Sequence, residues 1–219
     1  MRALLDLVLP RECGGCGTAG VLWCRRCAAQ LSGEPIAVSP RVDPGVPVWA
    51  LGTHTGARRA AVIAAKERGR RDLAGPFGVS LANAVRSLRA GGEIDPPELA
   101  RLTVVPAPTR SRAARVRGGD PVSAVAASAA AALAPEPVRV ARILEFAGGV
   151  RDSVGLSARE RVANLSGRIR VAPVRASGPS DCVVLTDDVL TTGATAAESV
   201  RALAAWGVRV DAVVVITAA

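Results

Sequence analysis

Residues 181–206, DCVVLTDDVLTTGATAAESVRALAAW, decide how this chain is read. Cys182-Val183-Val184-Leu185 is a short apolar run rich in β-branched residues, the composition of a parallel strand covered on both faces. It predicts a buried strand over 182–186 that ends at two adjacent carboxylates, Asp187 and Asp188. Thr191-Thr192-Gly193-Ala194-Thr195 then forms a small polar loop, and 196–206 reads as a helix by propensity. In open α/β sheets this is where ligands bind, outside the carboxyl end of a strand.

The loop offers five backbone N–H groups, three hydroxyls and no bulky side chain, and Gly193 lets the backbone come close to a ligand. Donors of this kind at a helix N-terminus make a phosphate site. With no Lys or Arg, the loop suits a single phosphate monoester. Two carboxylates beside it would repel an anion, so they must act on hydroxyls or on a metal ion. Phosphate donors next to hydroxyl acceptors describe a sugar phosphate. The competing pattern, a hydrophobic strand ending in Asp-Asp in a nucleotide hydrolase, needs a G-x-x-x-x-G-K-[ST] loop. The chain's only lysine, Lys66, lies instead in AAKERGR.

VVLTDDVLTTGAT resembles the ribose-phosphate signature of type I phosphoribosyltransferases. The resemblance implies that Thr191, Thr192, Gly193, Ala194 and Thr195 grip a 5′-phosphate. It also implies that Asp187 and Asp188, as catalytic residues, hold the ribose hydroxyls of phosphoribosyl pyrophosphate, with Mg2+ as cofactor.

At 219 residues the chain can hold one α/β domain and a small appendage. With two Phe, three Trp and no Tyr, its core must come from Val, Leu, Ile and Ala. Basic residues number 28, all but one of them Arg, and the net charge is +9. That charge suits a polyanionic ligand, pyrophosphate or nucleic acid, and equally a surface of solvated arginines. MRALLDLVLP is too short for a signal peptide and is interrupted by Asp6. The Ala-rich run after Pro121 is short and weakly hydrophobic, so no membrane span is expected and the default location is cytoplasmic.

Cys13 and Cys16, then Cys24 and Cys27, form two C-x-x-C pairs seven residues apart. Two such knuckles supply four thiolates for a tetrahedral zinc site, which leaves no open position for catalysis and acts as a structural staple. An iron–sulfur cluster uses the same ligands. Disulfides are the alternative that a reducing compartment disfavours. Arg25 and Arg26 offset the thiolate charge or meet nucleic acid, and Cys182 reads as an inert core thiol. Pro35, Pro40, Pro44 and Pro47 mark a linker. The expected division is a four-Cys zinc-binding segment with its linker over 1–40 and a phosphoribosyltransferase-like domain over 41–219.

Within that domain the pattern predicts a strand over 48–54 and helices over 57–67 and 70–89, the second bent near Gly75-Pro76. The lone His54 reads as structural. Lys66 stands out in a chain that otherwise uses Arg, because an ammonium approaches phosphate as a compact charge. A strand over 102–108 stops at two prolines, and four arginines follow within eight residues. This turn is a pyrophosphate candidate with Lys66, Pro106, Ala107, Arg110, Arg112 and Arg117. A helix over 121–134, a strand over 138–144 and a mobile Gly-rich stretch over 146–156 come next. A capping box starts a helix at Ser157, and a last strand covers 208–217.

The order of motifs narrows the resemblance. Four N-terminal cysteines, Lys66–Gly69, Val105–Pro108, Arg117-Gly118, Leu156–Asn164 and Asp187–Thr195 together resemble the ComF family of phosphoribosyltransferase-domain proteins, over nearly the whole chain. The resemblance implies a type I phosphoribosyltransferase-like parallel sheet flanked by helices, with a zinc-ribbon-like N-terminal segment. It implies binding of phosphoribosyl pyrophosphate or another ribose 5-phosphate ligand, transfer of phosphoribose to a nitrogenous acceptor, and a link to competence and DNA uptake. Single-stranded DNA, a DNA-uptake helicase and a second copy of the chain are the partners it suggests. The chain departs from the family at Gly119-Asp120, where an aromatic and Asn are usual, and at 151–155, where a Gln is common. The competing functions are a regulator that binds the sugar phosphate without turning it over, and a single-stranded DNA-binding module.

Overall fold

The structure, a computed structural model, describes residues 12–109, 119–147, 164–172 and 181–219. Six strands form one sheet: β1 (Ile36–Ala37), β2 (Val48–Ala50), β3 (Arg101–Pro106), β4 (Arg139–Val140), β7 (Asp181–Leu190) and β8 (Ala212–Ala218). Their spatial order is β1-β2-β8-β7-β3-β4. Every neighbouring pair is parallel except β1 with β2. β5 (Leu144–Phe146) and β6 (Ile169–Val171) pair antiparallel in a small separate sheet.

Helices cover both faces, as the continuous apolar runs of β7 and β8 require. On one face α2 (Gly56–Glu67), α3 (Ala74–Ala90) and α4 (Pro121–Ala132) bury Val62, Leu81, Val85 and Val125. These pack against Leu102, Val104, Val184 and Val214 of the sheet. On the other, α5 (Ala194–Ala204) buries Ala202 and Leu203 against Val105, Val183, Leu185 and Val213. Burying a side chain such as Leu185 or Leu203 in this way stabilises the fold by about 1.5–3 kcal/mol. The Ala-rich α4 lies tight against α3. A Cβ on Gly78 would fall 2.7 Å from Ala129 N, so glycine permits that approach.

α4 starts where the sequence says it should. Asp120 is its N-cap, accepting from Val122 N–H and from the Ser123 hydroxyl, and Pro121 occupies the first turn. The Asp that departs from the family pattern is thus a helix cap. Pro76 sits in the first turn of α3, behind a 3-10 turn at Arg71–Leu73, so the expected bend is a helix start.

Four strand expectations change, and one is the last strand, expected over 208–217, which begins at Ala212. The strand holding Asp187 and Asp188 does not end before them but runs to Leu190, because β8 supplies ladder partners that far. The strand expected over 138–144 is two strands in different sheets, β4 and β5. Only Val48–Ala50 of the 48–54 run is a strand, with Thr53 bridging to Ala218 beyond it. The stretch 148–163, with its expected capping box, lies outside the described residues.

After β3 the chain passes through α4 on one face to β4, and after β7 through α5 on the other face to β8. The connections diverge between the carboxyl ends of β3 and β7. That divergence opens a crevice at the topological switch point.

Candidate functional site

The β3–β7 ladder stops at Pro106 opposite Thr186, with a last bond from Ala107 N–H to Thr186 O at 2.7 Å. β7 continues for four residues paired to β8 alone. Asp187 and Asp188 therefore stand half-buried with one flank open to the crevice. Strand alternation sends them to different faces. Asp187 lines a recess with Ala107, Leu165 and the whole Thr191–Thr195 loop. Asp188 turns toward α2, where the Lys66 ammonium lies 3.0 Å from its Oδ1. The Asp188 N–H donates back to Asp187 Oδ1 at 2.8 Å. Burial, and the Asp188 charge beside it, push the Asp187 carboxyl up to about 7.

The expected five-residue loop is shorter: residues 191–193 make the turn, and Ala194 and Thr195 already belong to the helix expected from 196. Gly193 takes φ +87°, and α5 opens at Ala194 with Ala197 N–H bonded to Gly193 O. Ala194, Thr195 and Ala196 of the first turn of α5 line the recess that Asp187 shares, and a helix end in such a place can take a phosphate. Residues 40–42, within the Pro-rich stretch, brace the loop from behind. Val42 N–H donates to Thr192 O at 2.9 Å. A Cβ on Gly193 would lie 2.4 Å from Val42 O and 2.7 Å from Pro40 Cβ.

Several neighbours of the site were not placed beside it by the sequence. His54 Nδ1 lies 2.8 Å from Thr217 Oγ1, whose hydroxyl also reaches Asp188 O at 3.4 Å. Burial, then the Arg59 charge, lower the affinity of His54 for a proton and keep it neutral as a brace behind the carboxylates. Glu198 of α5 accepts from Gly167 N–H at 2.7 Å and pairs with Arg201, which holds its carboxyl below the usual range. It thereby anchors residues 164–172, which bring Leu165 to the recess. Thr109 Oγ1 donates to Asp120 at 2.6 Å and ties the end of β3's turn to the start of α4. Ala107 lines the recess, and Pro106 is the last residue of β3. Arg110, Arg112 and Arg117 lie outside the described residues.

The four N-terminal cysteines converge. Their Sγ atoms all lie within 4.8 Å of one another, and Cys16 and Cys24 Sγ are 3.5 Å apart. Tetrahedral Zn–S bonds of about 2.3 Å imply S···S edges of about 3.8 Å, so the cluster fits a zinc ion. All five cysteines are free thiols. Hydrogen bonding to Thr18 lowers Cys16 to about 6, whereas burial raises Cys27. Cys182, pushed up to about 11 by burial, is an inert core thiol.

Against known protein families and curated proteins, the chain matches none. Among the described residues no helix is long and apolar enough to cross a membrane.

Proposed function

We propose that this chain is a phosphoribosyltransferase-type protein of the ComF kind. In this reading it binds phosphoribosyl pyrophosphate with Mg2+ and transfers the phosphoribosyl group to a nitrogenous acceptor. One observation carries it: the carboxylate at Asp187 and the helix-opening loop at Thr191–Thr195 border the same recess, at the sheet's switch point. A phosphate on the α5 N-terminus leaves its sugar hydroxyls facing Asp187, while Asp188 stands toward α2 beside Lys66.

The chain's own residues would do positional and electrostatic work. The loop fixes the 5′-phosphate, and Asp187 accepts hydrogen bonds from the ribose hydroxyls. A ribose held at both ends keeps C1 aligned with the acceptor nitrogen. The C1–O bond to pyrophosphate breaks with its electron pair leaving on pyrophosphate. The acceptor nitrogen supplies the pair for the new C1–N bond and then gives up its proton. Asp187 and Asp188 offer carboxylate oxygens that would hold Mg2+, and the ion would offset the charge developing on the departing pyrophosphate. Lys66, with its ammonium about half exposed beside Asp188, is placed to share that role.

Single-stranded DNA binding has less support. Trp23, the aromatic beside the knuckles, packs edge-on against Phe77 with centroids 6.0 Å apart, so it is not a free stacking platform. Incubation with phosphoribosyl pyrophosphate, Mg2+ and a panel of nucleobases, read by pyrophosphate release, tests the proposal. Turnover is expected in the native protein and absent in Asp187→Asn/Asp188→Asn. Retained turnover in a folded double variant would overturn it.

A further inference from the structure

Arg70 joins the cysteine knuckles to the end of α2 that carries Lys66. Arg70 donates from Nη1 to Glu12 O at 3.0 Å and from Nη2 to Leu22 O at 3.1 Å. Those carbonyls stand next to Cys13 and two residues before Cys24. Leu22 O also accepts from Gly14 N–H at 3.0 Å, so it belongs to the knuckle's own framework. The rest of the Arg70 fork is fixed by Asp72, through Nε at 2.8 Å and Nη2 at 2.7 Å. The Arg70 backbone meanwhile closes α2, because its N–H and that of Arg68 both return to Ala64 O at 3.1 Å. Lys66 rides on this last turn and reaches Asp188. Two apolar contacts run parallel to the link. A Cβ on Gly14 would sit 2.8 Å from Leu73, and Trp23 meets Phe77.

From these contacts we infer that Arg70 is a positioning residue coupling the four-thiolate centre to the Lys66–Asp188 pair. Zinc on the four thiolates holds the Glu12 and Leu22 carbonyls in place for the guanidinium. The guanidinium holds the end of α2, and that turn aims the ammonium at Asp188. Four acceptor atoms in different directions require a planar fork of donors, which Lys cannot provide. The inference depends on zinc filling the thiolate cluster and not on what the recess binds.

The test uses Lys66 as its own reporter, since it is the only lysine in the chain. Its acetylation rate is followed by peptide mass spectrometry in zinc-loaded protein, in zinc-chelated protein and in zinc-loaded Arg70→Ala and Arg70→Lys. Asp188→Asn sets the rate of the amine without this ion pair. Chelation and each Arg70 variant should raise the Lys66 rate about two- to fivefold, the range of an ion pair of up to about 1 kcal/mol. Chelating Arg70→Ala should raise it no further, because one link cannot be broken twice. Amide-exchange protection of β7 and β8 should stay unchanged throughout. An unchanged Lys66 rate on zinc removal or in Arg70→Ala would overturn the inference. So would an equal rise on chelating Arg70→Ala, or loss of β7 and β8 protection, which would make the link global unfolding.

Discussion

The Lys66 ammonium lies 3.0 Å from Asp188 Oδ1 and joins the end of α2 to the middle of the sheet's rim. It places a cation where two carboxylates and, in the proposed complex, a diphosphate meet. The Lys66 side chain is 45% exposed, so screening limits what the pair adds to folding. Lys66→Ala should change unfolding free energy by less than about 1 kcal/mol. It should weaken phosphoribosyl pyrophosphate about tenfold, equivalent to about 1.4 kcal/mol. Urea unfolding and calorimetry on the same preparation separate the two effects.

Asp187 gives the fold a pH signature. Its carboxyl is raised from the ordinary 3.8 to about 7, so between those values the folded state carries a proton that the unfolded state has lost. Its contribution to stability therefore falls as pH rises through this window, with a slope of at most about 1.4 kcal/mol per pH unit. Asp187→Asn removes that slope. Urea midpoints of the two proteins measured in the upper half of the window, where thiolate ligands hold metal, should converge as pH falls. Sugar-phosphate affinity runs the other way, rising as Asp187 ionises and can accept from hydroxyls.

Gly193 combines a left-handed backbone with a missing side chain. Ala there meets both the φ of +87° and the Val42 carbonyl at 2.4 Å. The expected cost is about 2–4 kcal/mol, backbone strain plus overpacking. Gly207→Ala, at φ +74° with nothing within 4 Å, is the control and should cost about 1 kcal/mol. Equal urea midpoints for the two variants would show that the 40–42 segment does not press on the loop.

Zinc should be found at one ion per chain, and cobalt in its place should show the visible absorption of a tetrahedral thiolate centre. Cys27→Ser alters the buried corner of the cluster and Cys16→Ser the exposed one. Both should lose the ion, and loss of a few kcal/mol should lower Tm by about 10 °C. Metal content and a thermal melt decide it.

The local elements around the recess were more legible in the sequence than their long-range pairing. The apolar run at 182–185 announced a doubly covered strand, and the Thr191–Thr195 composition announced a helix-opening loop, because both depend on local residues. The strand's length did not show, since Asp187–Leu190 stay in the ladder only because β8 reaches Ala218. The 138–144 run read as one strand because hydropathy cannot say that Val140 joins β3 while Leu144 joins Val171. Lys66 was conspicuous as the only lysine, yet its partner, far along the chain, was not. Pro40 and Val42 read as linker because prolines mark breaks, whereas what holds them is the absent side chain of Gly193.

The central claim is that the recess takes a phosphoribosyl group, and calorimetric titration tests it most directly. Phosphoribosyl pyrophosphate is titrated, with and without Mg2+, into zinc-loaded native protein and into Asp187→Ala/Asp188→Ala. The account predicts saturable binding that needs Mg2+ and is lost in the double variant. Absence of binding by the folded, zinc-loaded native protein, or undiminished binding by the double variant, would contradict it.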